Sequence, residues 1–133
     1  MEKLEVIGEK KLKGTIKISG SKNSSLPILA ATLLSSKKVK ILNLPRVKDI
    51  ETMLLLLRSL GSNIKFNKKN KSVDVYNSKN IKTFASYNLV KTMRAGILVL
   101  GPLLARFNKA KVSLPGGCAI GARPVGIHLK ALS

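Results

Sequence analysis

The sequence predicts an α/β (α+β) domain assembled from repeated strand and helix units, the last of them incomplete. Three observations carry this. Short segments with apolar residues at every second position alternate with segments whose apolar residues recur at helical spacing. Glycine and proline stand between them as punctuation. A unit also recurs: helix, strand closing on Asn43-Leu44-Pro45, helix closing on Leu57-Arg58-Ser59-Leu60, and again helix, strand closing on Ser113-Leu114-Pro115, helix closing on Leu129-Lys130-Ala131-Leu132. A hairpin follows the first copy, and none follows the second before Ser133. The chain therefore reads as the front portion of something longer.

Residues 3–8 and 12–19 alternate with period two and are separated by Glu9-Lys10-Lys11, which predicts a hairpin. After Ser19-Gly20-Ser21-Lys22, the cluster Asn23-Ser24-Ser25 reads as a helix cap. The apolar run 26–34 follows, with Pro27 placed as a helix start allows. Residues 38–44 alternate as a strand that closes at Pro45. In 47–60, Ile50, Met53, Leu54, Leu57 and Leu60 share one helical face, and Gly61 is a natural C-terminal cap. Residues 63–66 and 72–76, joined by a lysine and asparagine turn, predict a second hairpin. The apolar stretch 88–107 reads as helix interrupted at Gly101-Pro102, residues 109–114 as a strand, and 124–132 as a final helix.

At 133 residues the chain suits one domain with its own core. Its longest apolar run, 95–105, falls short of the roughly 20 residues a bilayer crossing requires. The N-terminus has no apolar segment of the kind an export signal needs, and one cysteine excludes an internal disulfide, so a cytoplasmic protein is expected. The net charge of +19 raises the question of nucleic acid. Yet the 25 cations comprise twenty lysines and five arginines scattered along the chain, tryptophan is absent, and Phe and Tyr number only three and two. Nucleic-acid surfaces lean on arginine and stacking aromatics, so a nucleic-acid partner is disfavoured and solvated lysines preferred. The positive balance still draws anionic ligands.

The segment richest in chemical content is Pro115-Gly116-Gly117-Cys118-Ala119-Ile120-Gly121-Ala122-Arg123-Pro124-Val125. Closely spaced glycines let backbone approach a ligand, and a guanidinium fork follows five residues after the only thiol. A lone cysteine is more often a small buried hydrophobe. The glycine-rich loop around it shifts the balance toward chemistry.

This segment, with Gly20-Ser21-Lys22-Asn23 and Leu89-Val90-Lys91-Thr92-Met93-Arg94-Ala95, resembles the N-terminal portion of the UDP-N-acetylglucosamine 1-carboxyvinyltransferase group of enolpyruvyl transferases. The related shikimate-pathway transferases share the fold but lack a cysteine in the matching loop. The resemblance implies an incomplete inside-out barrel of repeated strand-helix-strand-helix-strand-strand units. Residues 1–21 would be a hairpin that pairs with a second, absent domain, and residues 22–133 part of a UDP-sugar-binding domain.

The implied activity is transfer of the enolpyruvyl group of phosphoenolpyruvate to the 3'-hydroxyl of UDP-N-acetylglucosamine, the first committed step of peptidoglycan synthesis. It proceeds through a tetrahedral addition intermediate, with release of phosphate. Such a reaction needs a proton for the methylene carbon, a base for the sugar hydroxyl, and cations for phosphate and carboxylate. By the resemblance, Cys118 is the general acid, and Lys22, Asn23 and Arg123 bind phosphoenolpyruvate. Arg94 and the run Arg123, Pro124, Val125, Gly126 and Ile127 bind UDP-N-acetylglucosamine. No metal or other cofactor is expected, and His128 is assigned no role.

Without the resemblance Lys22 and Asn23 would read as a solvated lysine and an ordinary cap. Two departures stand out, because the family commonly has aspartate at Gly126 and serine at Gly96. The family's base aspartate and further arginines belong to a later part of the enzyme. Asp49 and Asp74 are the only aspartates in this chain, and neither falls in a family motif. A fragment inactive alone, complemented by a C-terminal chain, is one expectation; a noncatalytic basic anion-binding module is the alternative.

Overall fold

The computed structural model describes residues 3–8, 10–114 and 125–132. The order of elements after the N-terminal segment is α1 (Lys22–Ala31), a 3-10 turn (Thr32–Leu34), β1 (Val39–Ile41), α2 (Lys48–Leu60), β2 (Asn63–Asn67), β3 (Ser72–Tyr76), β4 (Phe84–Ala85), α3 (Tyr87–Val90), a 3-10 helix (Arg94–Val99), α4 (Leu100–Phe107), β5 (Lys111–Val112) and α5 (Gly126–Leu132). A three-stranded antiparallel sheet in the order β1-β3-β2 backs the helices, and β4 and β5 form a separate parallel pair.

Alternation in the sheet decides its two faces. Val39, Val75 and Ile64 lie side by side across the three strands, as do Ile41, Val73 and Phe66, all on the side of the core. One residue out of phase, Lys40, Asp74 and Lys65 align on the opposite face. Against the apolar face α2 buries Ile50, Met53, Leu54, Leu56, Leu57 and Leu60. It starts after Val47 and ends at Gly61, whose φ of 105° only glycine adopts without strain; its N–H donates to the Arg58 carbonyl. Leu26, Leu29 and Leu33 of the first helical segment complete the layer with Val90, Val99 and Leu103.

Polar groups beneath this layer are matched to partners. The Asn77 side chain, fully buried, donates to the Thr32 carbonyl at 2.7 Å and accepts from the Ser62 hydroxyl at 2.6 Å. The Arg106 guanidinium donates to the carbonyls of Leu33 (2.7 Å), Ser35 (3.0 Å), Asn77 (3.2 Å) and Ser78 (3.3 Å). One side chain thus ties α4 to the end of the first helical segment and to the loop after β3.

Several expectations are corrected. The predicted N-terminal hairpin does not form: described residues 3–8 and 10–19 carry no strand, and Leu4, Val6, Ile7, Leu12, Ile16 and Ile18 are exposed. Period-two alternation supplies a face, but an isolated two-stranded ribbon with nothing to bury that face is marginal. The break expected at Gly101-Pro102 lies earlier, at residues 91–93, where Met93 is extended. Pro102 sits in the first turn of α4, where its missing N–H removes no helical bond. The strand predicted over 109–114 shortens to β5, and its partner β4 was not foreseen.

Candidate functional site

The chain enters α1 through Ser19-Gly20-Ser21. The cap is Ser21, two residues before the expected cluster: its hydroxyl accepts from the Ser24 N–H at 3.4 Å. Its carbonyl accepts both the Ser25 N–H and the Ser25 hydroxyl, at 3.0 and 2.7 Å. Lys22 and Asn23 therefore occupy the first turn and are exposed, where the helix presents unpaired N–H groups and a partial positive charge. Pro27 lies inside α1 and offers no N–H to the Asn23 carbonyl.

Gly20 decides where this helix start sits. A Cβ at Gly20 would overlap the Asn43 carbonyl oxygen and lie 3.3 Å from the Pro45 ring. Only glycine permits this contact, and Asn43 meets it with a left-handed φ of 55°. The approach brings the α1 N-terminus to the turn that leads into α2. Across that gap Lys22 Nζ lies 2.9 Å from Asp49 Oδ2, in the first turn of α2. The side chains retain 47% and 39% of their exposure, so the pair is open to solvent and to a ligand.

Arg94, half-buried, is the first residue of the 3-10 helix Arg94–Val99, which packs against α1. Two of the resemblance-derived binding elements are thus neighbours in space. Gly96 has a packing reason to lack a side chain, since its Cβ would come within 3.2 Å of the Val90 side chain. Val125 is half-buried, and Gly126 and Ile127 are exposed at the start of α5, a helix with no buried residue. Among the described residues nothing lies within 4 Å of a Cβ at Gly126, so none of them excludes a side chain there. Cys118, Arg123 and Pro124 lie outside the described residues, and so does the predicted proximity of the thiol to guanidinium and ammonium groups.

Electrostatics outside this corner centre on the polar sheet face. Asp74 is flanked across the strands by Lys40 and Lys65, and its Oδ2 lies 2.9 Å from Lys38 Nζ. The hydrogen bond and charge of Lys38, with the fields of Lys40 and Lys65, hold the carboxyl below its ordinary value, against a smaller opposing effect of burial. Among the described residues no group of three or more His, Cys, Asp and Glu side chains gathers to hold a metal, and no helix is long and apolar enough to cross a membrane.

Sequence reasoning missed Asp49. The available signal was positional: an acid in the first turn of the helix that closes the same helix-strand-helix unit α1 opens. Nothing in the spacing of residues 22 and 49 announces a contact that depends on Gly20 meeting Asn43.

The family model of EPSP synthase (3-phosphoshikimate 1-carboxyvinyltransferase) matches residues 6–133. The UDP-N-acetylglucosamine 1-carboxyvinyltransferase of Pelagibacter ubique (strain HTCC1062) is 74% identical over 133 residues, covering 100% of this chain and 31% of the relative. That of Helicobacter pylori (strain Shi470) is 57% identical over 132 residues, 99% of this chain and 31% of the relative. The chain thus spans about 31% of the length of the curated relatives it matches. Among solved structures, the enolpyruvyl transferase NikO from Streptomyces tendae superposes with a TM-score of 0.63 at 23% identity, over 74% of this chain and 23% of that one. At that identity the likeness speaks for the fold.

Proposed function

Since the chain belongs to the EPSP synthase family, we propose that it supplies the N-terminal part of a UDP-N-acetylglucosamine 1-carboxyvinyltransferase acting in cytoplasmic peptidoglycan synthesis. The observation that carries this reading is 74% identity across the whole chain to an enzyme of that name. The geometry supports it with an ammonium at the first residue of a capped helix, beside a second helix start. Such a corner suits a phosphate or carboxylate.

In the reaction the sugar 3'-oxygen adds to C2 of phosphoenolpyruvate while the methylene carbon gains a proton, giving a tetrahedral adduct. Loss of inorganic phosphate from C2 and of a proton from the methyl group then restores the enol double bond. Lys22 and Asn23 hold phosphoenolpyruvate from the α1 end, and Arg123 holds it from the glycine-rich segment. Cys118 delivers the proton to the methylene carbon. Arg94 and residues 123–127 hold the UDP-sugar. The base for the sugar hydroxyl and the remaining cations come from polypeptide beyond these 133 residues, in the same chain or a complementing one. The 1–21 segment pairs with that polypeptide. The wider roles in cell wall assembly, cell shape and the cell cycle follow from the product.

The test is phosphate release from phosphoenolpyruvate and UDP-N-acetylglucosamine. The 133-residue chain alone is expected to release none. Mixed with the remaining portion of the Pelagibacter ubique relative, it is expected to turn over only when both substrates are present, and Cys118→Ala is expected to abolish turnover. An epoxide that mimics phosphoenolpyruvate should label Cys118 selectively. No phosphate release from the mixture, together with salt-sensitive DNA binding indifferent to Cys118→Ala, would make the chain a basic anion-binding module instead.

A further inference from the structure

The Lys22–Asp49 contact goes beyond the resemblance, which assigns a role to the lysine and none to the acid. We propose that Asp49 is a positioning residue: it holds the Lys22 ammonium at the α1 N-terminus, ready for the phosphate of phosphoenolpyruvate. The inference rests on the reading of Lys22 as a ligand for that substrate.

Selection is the first argument. Six carboxylates face 25 cations in this chain, and Lys48 precedes Asp49 directly, yet the ion pair forms with Lys22, from another helix. Among the described residues two lysine-carboxylate contacts form, and the other, Lys38–Asp74, belongs to the sheet face.

Rigidity of the acid is the second. Asp49 sits in the first turn of α2, where the helix dipole favours its charge and six buried residues fix the helix on the sheet. The glycine contact at Asn43 fixes the other partner's backbone. A lysine on a flexible four-carbon stem would otherwise sample many rotamers. Held at 2.9 Å by one oxygen, its ammonium keeps two of three donors for a ligand, and its exposure leaves that side open.

The sign of the effect separates this role from bare charge. A carboxylate beside an anion site repels the anion, so by Coulomb's law alone its removal strengthens phosphoenolpyruvate binding. A carboxylate that orders the ammonium does the opposite when removed.

The experiment uses the full 133-residue chain, isotope-labelled for NMR, with phosphoenolpyruvate as the probe. In the free chain the Lys22 Cε–H groups are expected to relax as an ordered side chain, and in Asp49→Ala as the other exposed lysines do. In titrations Asp49→Ala should weaken phosphoenolpyruvate three- to tenfold, Asp49→Glu should recover part of the loss, and Asp49→Ala should add nothing on a Lys22→Met background. Lys22 relaxation unaffected by Asp49→Ala, or affinity unchanged or strengthened in that variant, overturns the positioning role while Lys22→Met still weakens binding. Binding indifferent to Lys22→Met overturns the assignment of Lys22 itself, and the positioning role with it.

Discussion

Arg106 joins two distant parts of the chain through one side chain. Four main-chain carbonyls, two at the end of the first helical segment and two after β3, converge on one half-buried guanidinium, and a hydrogen bond to a charged donor contributes about 1.5–3 kcal/mol. Arg106→Met keeps the stem but leaves four carbonyls short of a donor. It is expected to cost roughly 2–3 kcal/mol, read as a lower denaturation midpoint in urea with an unchanged slope. Arg106→Lys should recover only part of this, because a point ammonium cannot fork between two loops. Sequence alone gave no hint of the role, since the arginine's partners are backbone atoms more than 25 positions away. Lys22 and Arg94 were nameable because they stand in recognisable strings of residues. Asp49 was not, because its partner is chosen by folding.

At the scale of elements, α2 was legible from end to end: apolar spacing on one side and a glycine at its close produced the observed Lys48–Leu60 helix. The β2–β3 hairpin was equally legible, its two alternating runs set apart by a polar turn. β4 was not, because two residues carry no periodicity and the parallel partner lies well downstream. The sheet also fixes a pH response. Asp74 titrates below its unfolded value because of Lys38 first, then Lys40 and Lys65. A carboxylate shifted down contributes stability that is present above the unfolded value, about 3.9, and is lost as pH falls through the lower folded value. Asp74→Asn is expected to flatten the acid side of the melting-temperature profile below about pH 4, and its destabilisation near neutrality should deepen at low salt, where the three lysines repel one another most. A profile identical to the parent's would show that the lysines do not act on this carboxylate.

At the scale of the molecule, the core from α1 to β5 is continuous, and both ends of the described chain stand apart from it. α5 buries no residue, and Leu4, Leu12 and Ile16 are 92, 99 and 87% exposed. The chain covers 31% of the length of the Pelagibacter ubique relative. Alternation in residues 3–8 and 12–19 yields no strand, because no described residue buries its apolar face and an unsupported two-stranded ribbon is marginal.

That leading segment also decides how the molecule wears out. Lys10, Lys11, Lys13 and Lys17 stand on exposed backbone that belongs to no helix or strand, whereas most lysines of the core sit on or between hydrogen-bonded elements. Brief exposure to trypsin should therefore trim the leading peptide first and spare the sheet, leaving a shortened species visible by mass spectrometry. If the remaining portion of the Pelagibacter ubique relative packs on this segment, its addition should slow those cuts before any others, and the scissile lysines then serve as a clock for assembly.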